Sequence, residues 1–301
     1  MPKVITIDSS SIGLRIDRWI KINLLKIPQS LIEKDLRKGK IKVNNKKTKS
    51  SYKLNSFDKI YLYNINYKNL IKKTKKVSPK IIVIKETEKD IIENNSDFIV
   101  INKKSGLPVQ GGTKVKENLI NILSNSSYFV NSKPYIVHRI DKDTSGVLII
   151  AKNRETAQQL TSLFRIRKIH KTYLALSFGQ IQKSRDLIEN KLIRYEKNKK
   201  IFEKAITSYE VADNNSNYTL FKLNPITGRK HQIRKHLTDL NCPIVGDTKY
   251  FINKPKKKVE LMLHAYEIKF ILNDKKYTFK ANLPEYFKNF LIKNNLKQKD
   301  F

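Results

Sequence analysis

His138-Arg139-Ile140-Asp141-Lys142-Asp143-Thr144-Ser145-Gly146 runs directly into Val147-Leu148-Ile149-Ile150-Ala151. The second half is an unbroken apolar run rich in β-branched residues, which reads as a strand buried on both faces. The first half is polar, and Tyr135-Ile136-Val137 on its far side is apolar again. A polar stretch held between two buried segments becomes a loop at the edge of a sheet, where a rigid scaffold can position side chains for chemistry. Taken by itself, the same stretch also fits a plain turn capped by an Asx side chain.

Outward from this stretch the pattern stays mixed. Asn153 stands as an N-cap before a helix whose apolar face is Ala157, Leu160, Leu163 and Phe164. Lys171 to Phe178 and Tyr218 to Leu223 alternate as strands. Gly228 precedes a short helix carrying Ile233, Leu237 and Leu240, and Pro243 follows its end. Upstream, Phe98 to Ile101 is a buried strand, followed by a loop punctuated by Gly106, Pro108, Gly111 and Gly112. Residues 81–96 hold an apolar patch and then an acidic, polar stretch, while residues 64–80, rich in Asn and Lys, read as a linker. Residues 11–63 form a unit of their own. Leu14, Ile16, Trp19, Ile20 and Leu24 recur at helical spacing, and Pro28-Gln29-Ser30 opens a second helix with Leu31, Ile32 and Leu36 on its apolar face. Gly39 ends that helix, Lys40 to Asn45 alternates as a strand closed by a turn, and Lys53 to Leu62 gives another strand. The expected organisation is a small domain over 11–63, a linker over 64–80 and a larger α+β domain over 81–295.

Charge narrows the partners. The 301 residues include 62 Lys+Arg against 27 Asp+Glu, a net +35. Such a surface attracts polyanions, and nucleic acid gains most because each phosphate contact releases counterions. Part of the excess belongs to a general richness in Lys, Asn and Ile. No amphipathic basic helix stands out, and the longest apolar run is far too short to span a bilayer, so no membrane partner is expected. Cys242 is the single cysteine, which excludes a disulfide framework and a Cys-rich zinc site and fits a reducing cytoplasm. Met1 to Ser10 has no secretory pattern.

Three lookalikes fail. Asp143-Thr144-Ser145-Gly146 has one residue too many for the Asp-Thr-Gly of aspartic proteases, and no second copy supplies the paired carboxylate. Gly111-Gly112-Thr113 lacks the Lys of a P-loop. His138, His170, His231, His236 and His264 show no metal-binding spacing, so no metal is expected.

The chain resembles the RluA/RluC/RluD-type pseudouridine synthases through several motifs in order. His138-Arg139-Ile140-Asp141 with Thr144-Ser145-Gly146 looks like the signature loop, followed by Ala151-Lys152. Lys171-Thr172-Tyr173-Leu174-Ala175 looks like the motif carrying the family's tyrosine, and the run Pro225 to Arg234 like the third motif. Pro243-Ile244-Val245-Gly246-Asp247, Leu261-Met262-Leu263-His264-Ala265 and, upstream, Val100 to Leu107 complete the series, so the resemblance spans about residues 97–290. Arg15-Ile16-Asp17-Arg18-Trp19, Pro28-Gln29-Ser30, Arg37-Lys38-Gly39-Lys40-Ile41 and Val43-Asn44 resemble an RNA-binding module shared with a small-subunit ribosomal protein.

The resemblance implies a pseudouridine synthase fold, a mixed and largely antiparallel sheet flanked by helices and loops, preceded by a small α/β RNA-binding module. It implies cofactor-free isomerisation of uridine in large-subunit (23S) ribosomal RNA, precursor or partly assembled, by a monomeric cytoplasmic enzyme. Val109-Gln110-Gly111-Gly112 leans toward the RluC branch. Asp141 would be the nucleophile, adding to C6, attacking C1′ or assisting a glycal route. Arg234 would be its guanidinium partner, and Tyr173 would lie against the uracil and help remove the C5 proton. Leu263 would pad the ring's other side, and Arg139 would occupy the space left by the extruded base. His138, Thr144, Arg229 and His231 complete the substrate set. Arg15, Arg18, Ser30, Arg37, Lys38 and Lys40 would carry the module's RNA contacts. The sequence departs from the family at Phe57, Lys104, Gln110 and Lys230, which puts the RNA target in question rather than the reaction. Transfer RNA as substrate and a non-catalytic assembly factor are the alternative readings.

Overall fold

Ser145–Ala151 is a strand with every residue buried, and the larger sheet is arranged around it. The computed structural model describes residues 2–7, 11–23, 28–63, 79–111, 117–196, 199–251 and 259–297. Leu24, Gly112 and all but the last two residues of the expected linker lie outside the described residues. The chain divides into two units, Met1–Lys76 and Val77–Phe301.

The first unit contains β1 (Lys3–Thr6), α1 (Ile16–Asn23), α2 (Gln29–Lys38), β2 (Ile41–Val43) and β3 (Lys59–Leu62). Its strands pair antiparallel in the order β1-β3-β2. Pro28 stands at the N-cap of α2, and Gly39 closes the helix in the left-handed region. Ile16, Trp19, Ile20, Ile32 and Leu36 meet Ile41, Val43 and Ile60 in one core. The strand expected from Lys53 is confined to Lys59–Leu62 because the Asp58 carboxylate gathers the Asn55 N–H and the Tyr52 hydroxyl into a turn.

The second unit contains α3 (Ile81–Glu88), β4 (Ile91–Asn94), β5 (Phe98–Lys103), α4 (Leu119–Leu123), β6 (Tyr135–Ile136), β7 (Ser145–Ala151), α5 (Arg154–Arg165), β8 (His170–Phe178), β9 (Arg185–Glu196), β10 (Lys199–Asn214), β11 (Tyr218–Pro225), α6 (Gln232–Asp239), β12 (Leu263–Leu272), β13 (Lys275–Lys280) and α7 (Glu285–Lys293). The sheet runs β4-β5-β7-β12-β8-β11-β10-β9, with β13 on β12 and β6 on β7. Among the described residues every pairing is antiparallel except β7 with β12. Asn153 caps α5 by accepting the Thr156 N–H at 2.8 Å, as the spacing predicts.

One edge of β7 decides where a site can form. Its other edge is covered along its length by β5. On this edge β12 pairs only at Ser145 and Gly146, and β6 only at Ile150 and Ala151. The sheet therefore parts between β7 and β12. The Ile149 N–H exposed in the gap is taken by the His138 side chain at 2.9 Å. Gly146 makes the parallel contact possible: its φ is +112°, and a Cβ there would lie 2.2 Å from the Ala265 carbonyl oxygen.

Candidate active site

The loop from Val137 to Thr144 crosses the gap and is pinned from beneath. The Lys103 ammonium, 1% exposed, donates to the carbonyls of Lys104, Leu107 and Lys142 at 2.8, 2.9 and 3.0 Å. Burial pushes that lysine down to about 7 although Asp143 and Asp141 pull the other way. The Gly106 N–H also reaches the Lys142 carbonyl, and the Ser105 hydroxyl holds the Asp143 carbonyl. At the loop's end the Ser145 hydroxyl meets His264 Nδ1 at 2.8 Å, while His264 Nε2 lies 3.1 Å from the Ala281 carbonyl. With its backbone fixed this way, the loop presents the Asp141 side chain, 27% exposed, to a pocket of about 510 Å³.

All the expected substrate-site residues line that pocket: His138, Arg139, Asp141, Thr144, Tyr173, Arg229, His231, Arg234 and Leu263. Their individual roles differ. His138 uses Nε2 on the Ile149 N–H and stacks on Phe164 at 4.4 Å, so its ring is a wall. Burial, with Lys171 adding to it, pushes His138 down to about 3 and keeps it neutral. Thr144 is buried, and its N–H closes a turn on the Asp141 carbonyl. Tyr173 is raised above its ordinary value by burial and then by Asp141, so at neutral pH it stands as a protonated ring. Arg229 turns toward Glu203 at 3.2 Å and the Lys204 carbonyl at 3.1 Å. Arg139 is exposed at the mouth.

Arg234 departs from expectation. Its guanidinium does not fork onto Asp141 but onto Asp247, with both N–H···O distances 2.7 Å. Asp247 also accepts the N–H groups of Lys249 and Tyr250. Burial opposes charge on both partners, yet the fork holds Asp247 below the usual carboxylate range and Arg234 above its own value. The bidentate geometry explains the choice, because it satisfies two buried charges at once. Arg234 thus bears on Asp141 through its field across the pocket. The His231 side chain comes close to Asp141, its Nε2 lying 3.7 Å from Oδ1. His231 sits at the N-cap of α6 with φ +55° and shares a 2.8 Å hydrogen bond with the Tyr250 hydroxyl. Burial lowers its pKa, Asp141 opposes that, and Arg234 reinforces it.

Sequence reasoning missed Gln232, Asp247, Tyr250 and the Phe164–Lys171 wall. Gln232 is buried and accepts from Thr227 and the Arg229 N–H while donating to Ile206 and Thr207, which fixes the turn into α6. An uncharged side chain at the first turn of a helix gave no signal of that role. Asp247 lay inside a quoted motif, but its partner is 13 residues away and no periodicity links them.

Among the described residues Asp141 is the sole carboxylate in the lining, set among cations and beside an aromatic ring. That arrangement suits a nucleophile acting on an electron-poor heterocycle or sugar carbon of an anionic substrate. It does not suit paired-carboxylate hydrolysis. Among the described residues no group of three metal-ligating side chains occurs, and no helix is long and apolar enough to cross a membrane.

Comparison with known proteins agrees with this chemistry. Residues 97–239 match the family model for RNA pseudouridylate synthases. The ribosomal large subunit pseudouridine synthase C of Haemophilus influenzae is 32% identical, covering 97% of this chain and 94% of that protein. The proteins of the same name from Buchnera aphidicola and Rickettsia bellii are 33% and 34% identical, covering 96% and 94% of this chain and 96% and 99% of theirs. Human RNA pseudouridylate synthase domain containing 4 superposes with a TM-score of 0.65 at 25% identity, over 73% of this chain and 98% of that one. Identity at this level across nearly the whole length, on a sheet that parts around one pocketed aspartate, means that the chain belongs to the RNA pseudouridylate synthase family, isomerases acting on RNA.

Proposed function

We propose that this enzyme isomerises specific uridines of large-subunit (23S) ribosomal RNA, without a cofactor, with Asp141 as nucleophile. The observation that carries the reading is that Asp141 is, among the described residues, the single carboxylate in a pocket whose lining also holds five arginines, a lysine and the Tyr173 ring. The large-subunit target follows the names of relatives covering more than nine-tenths of the chain.

The reaction breaks the C1′–N1 bond, turns the uracil and forms a C1′–C5 bond; C5 loses a proton and N1 gains one, so the atoms balance with no co-reactant. Asp141 attacks and is later released. Tyr173 and Leu263 flank the ring. Arg234, held by Asp247, supplies a fixed positive field. Extruding the uridine costs on the order of a few kcal/mol, and Arg139, exposed on the loop next but one to Asp141, takes the vacated space. In the first unit Arg15, Arg18, Ser30, Arg37, Lys38 and Lys40 are all exposed, and they contact phosphates as an RNA-binding module over residues 11–63, with catalysis confined to 81–295. The substrate is precursor or partly assembled RNA, and the enzyme works as a monomer in the cytoplasm.

The test is a carbodiimide map of pseudouridine in ribosomal and transfer RNA from cells with the protein, without it, and with Asp141→Ala. Loss of the same large-subunit sites in the last two is expected. Unchanged maps would overturn the catalytic reading, and loss confined to transfer RNA would overturn the target.

A further inference from the structure

One wall of the pocket is cationic and uncommitted. Arg165, at the end of α5, and Arg167, just beyond it, are exposed, Lys171 at the start of β8 is half-buried, and all three line the pocket. Arg229, also in the lining, is instead paired with Glu203. Burial acts on Lys171 with no carboxylate to offset it and pushes it down to about 8. Arg167 takes the left-handed position that closes α5, with φ +60°, its N–H on the Phe164 carbonyl and the Lys168 N–H on the Leu163 carbonyl, so its backbone is fixed by the helix end. Three cations are thus gathered, one partly desolvated and one on a backbone fixed by the helix end, with no ion pair to any of them among the described residues.

The missing anion can be placed by the strand. Lys171 and Tyr173 are two residues apart on β8, so they face the same side about 7 Å apart. A base resting on Tyr173 brings its own backbone toward Lys171 across one ribose. A phosphodiester there would accept a guanidinium fork and an ammonium together.

We propose that Arg165, Arg167 and Lys171 form a binding site for a backbone phosphate of the nucleotide whose base enters the pocket. The inference rests on the reading of the pocket as a uridine site in RNA. The phosphate site confines the enzyme to uridines within a strand, since a free nucleoside leaves the three cations unanswered.

The test uses the full-length enzyme and an unmodified large-subunit RNA transcript. The double variant Arg165→Gln/Arg167→Gln alters exposed residues and should remain folded. Its RNA affinity should fall about tenfold or more, with the slope of log affinity against log salt reduced by about 0.7–0.9 for each phosphate no longer neutralised. Lys171→Met should do the same, and Lys171→Arg should restore most of the slope. A neutral methylphosphonate beside the target uridine should weaken the wild type but cost the double variant little more. An unchanged slope in a folded double variant, or equal sensitivity of both proteins to the methylphosphonate, would overturn the phosphate site. A wild type that binds the transcript but forms no pseudouridine would instead defeat the reading on which the site rests.

Discussion

Arg234 and Asp247 have side chains only 7% and 1% exposed, and each answers the other's charge through a two-point fork. Asp247→Asn leaves a buried guanidinium without a counter-charge, which should cost about 3–5 kcal/mol in urea unfolding. Arg234→Met/Asp247→Leu removes both charges and should recover most of that stability while pseudouridine formation stays low. If activity returned along with stability, the pair would be structural alone. At this scale Asp141 was legible only because its motif resembles a family's signature loop, since the polar stretch between two apolar runs holds Asp143 as well and by itself fits a plain turn. Asp247 was not, because an ion pair between a helix and the loop beyond it leaves no pattern in the chain. Phe57 shows the converse. Its φ of +66° is a conformation that glycine adopts without strain, so the departure at this position is visible in the backbone.

Among the elements, β7 was plain in the sequence because a strand buried on both faces must be continuously apolar. The β9–β10 hairpin was not. Only Ile188 and Leu192 are buried along β9, with charged and polar residues between them, so no alternation marks a strand. Backbone pairing with β10, rather than burial, gives it order. Where β7 meets β12 the sequence showed only a glycine inside a motif, and the structure supplies its reason. Gly146→Ala drives a methyl group into the Ala265 carbonyl. The misfit should cost on the order of 1–3 kcal/mol in unfolding measurements. Turnover should fall further than stability does, since Asp141 hangs from that junction. A variant with wild-type turnover would mean that the junction does not set the carboxylate's position.

On the scale of the whole molecule, the chain carries a net +35 and divides into two units with cores of their own. Removing residues 1–76 should leave a catalytic unit that still forms pseudouridine. It should bind large-subunit RNA more weakly and with a shallower salt dependence, because fewer phosphates are neutralised. Equal affinity and slope in filter binding would show that the first unit takes no part in RNA capture. The pairing of β7 with β12 has a temporal consequence as well. Ser145 meets His264, 119 positions further along the chain, and pairings that distant form slowly because a long loop must close before they are rewarded. During synthesis the loop bearing Asp141 leaves the ribosome well before the strand that anchors it. A nascent chain is therefore expected to form no pseudouridine until β12 has emerged to fix that loop.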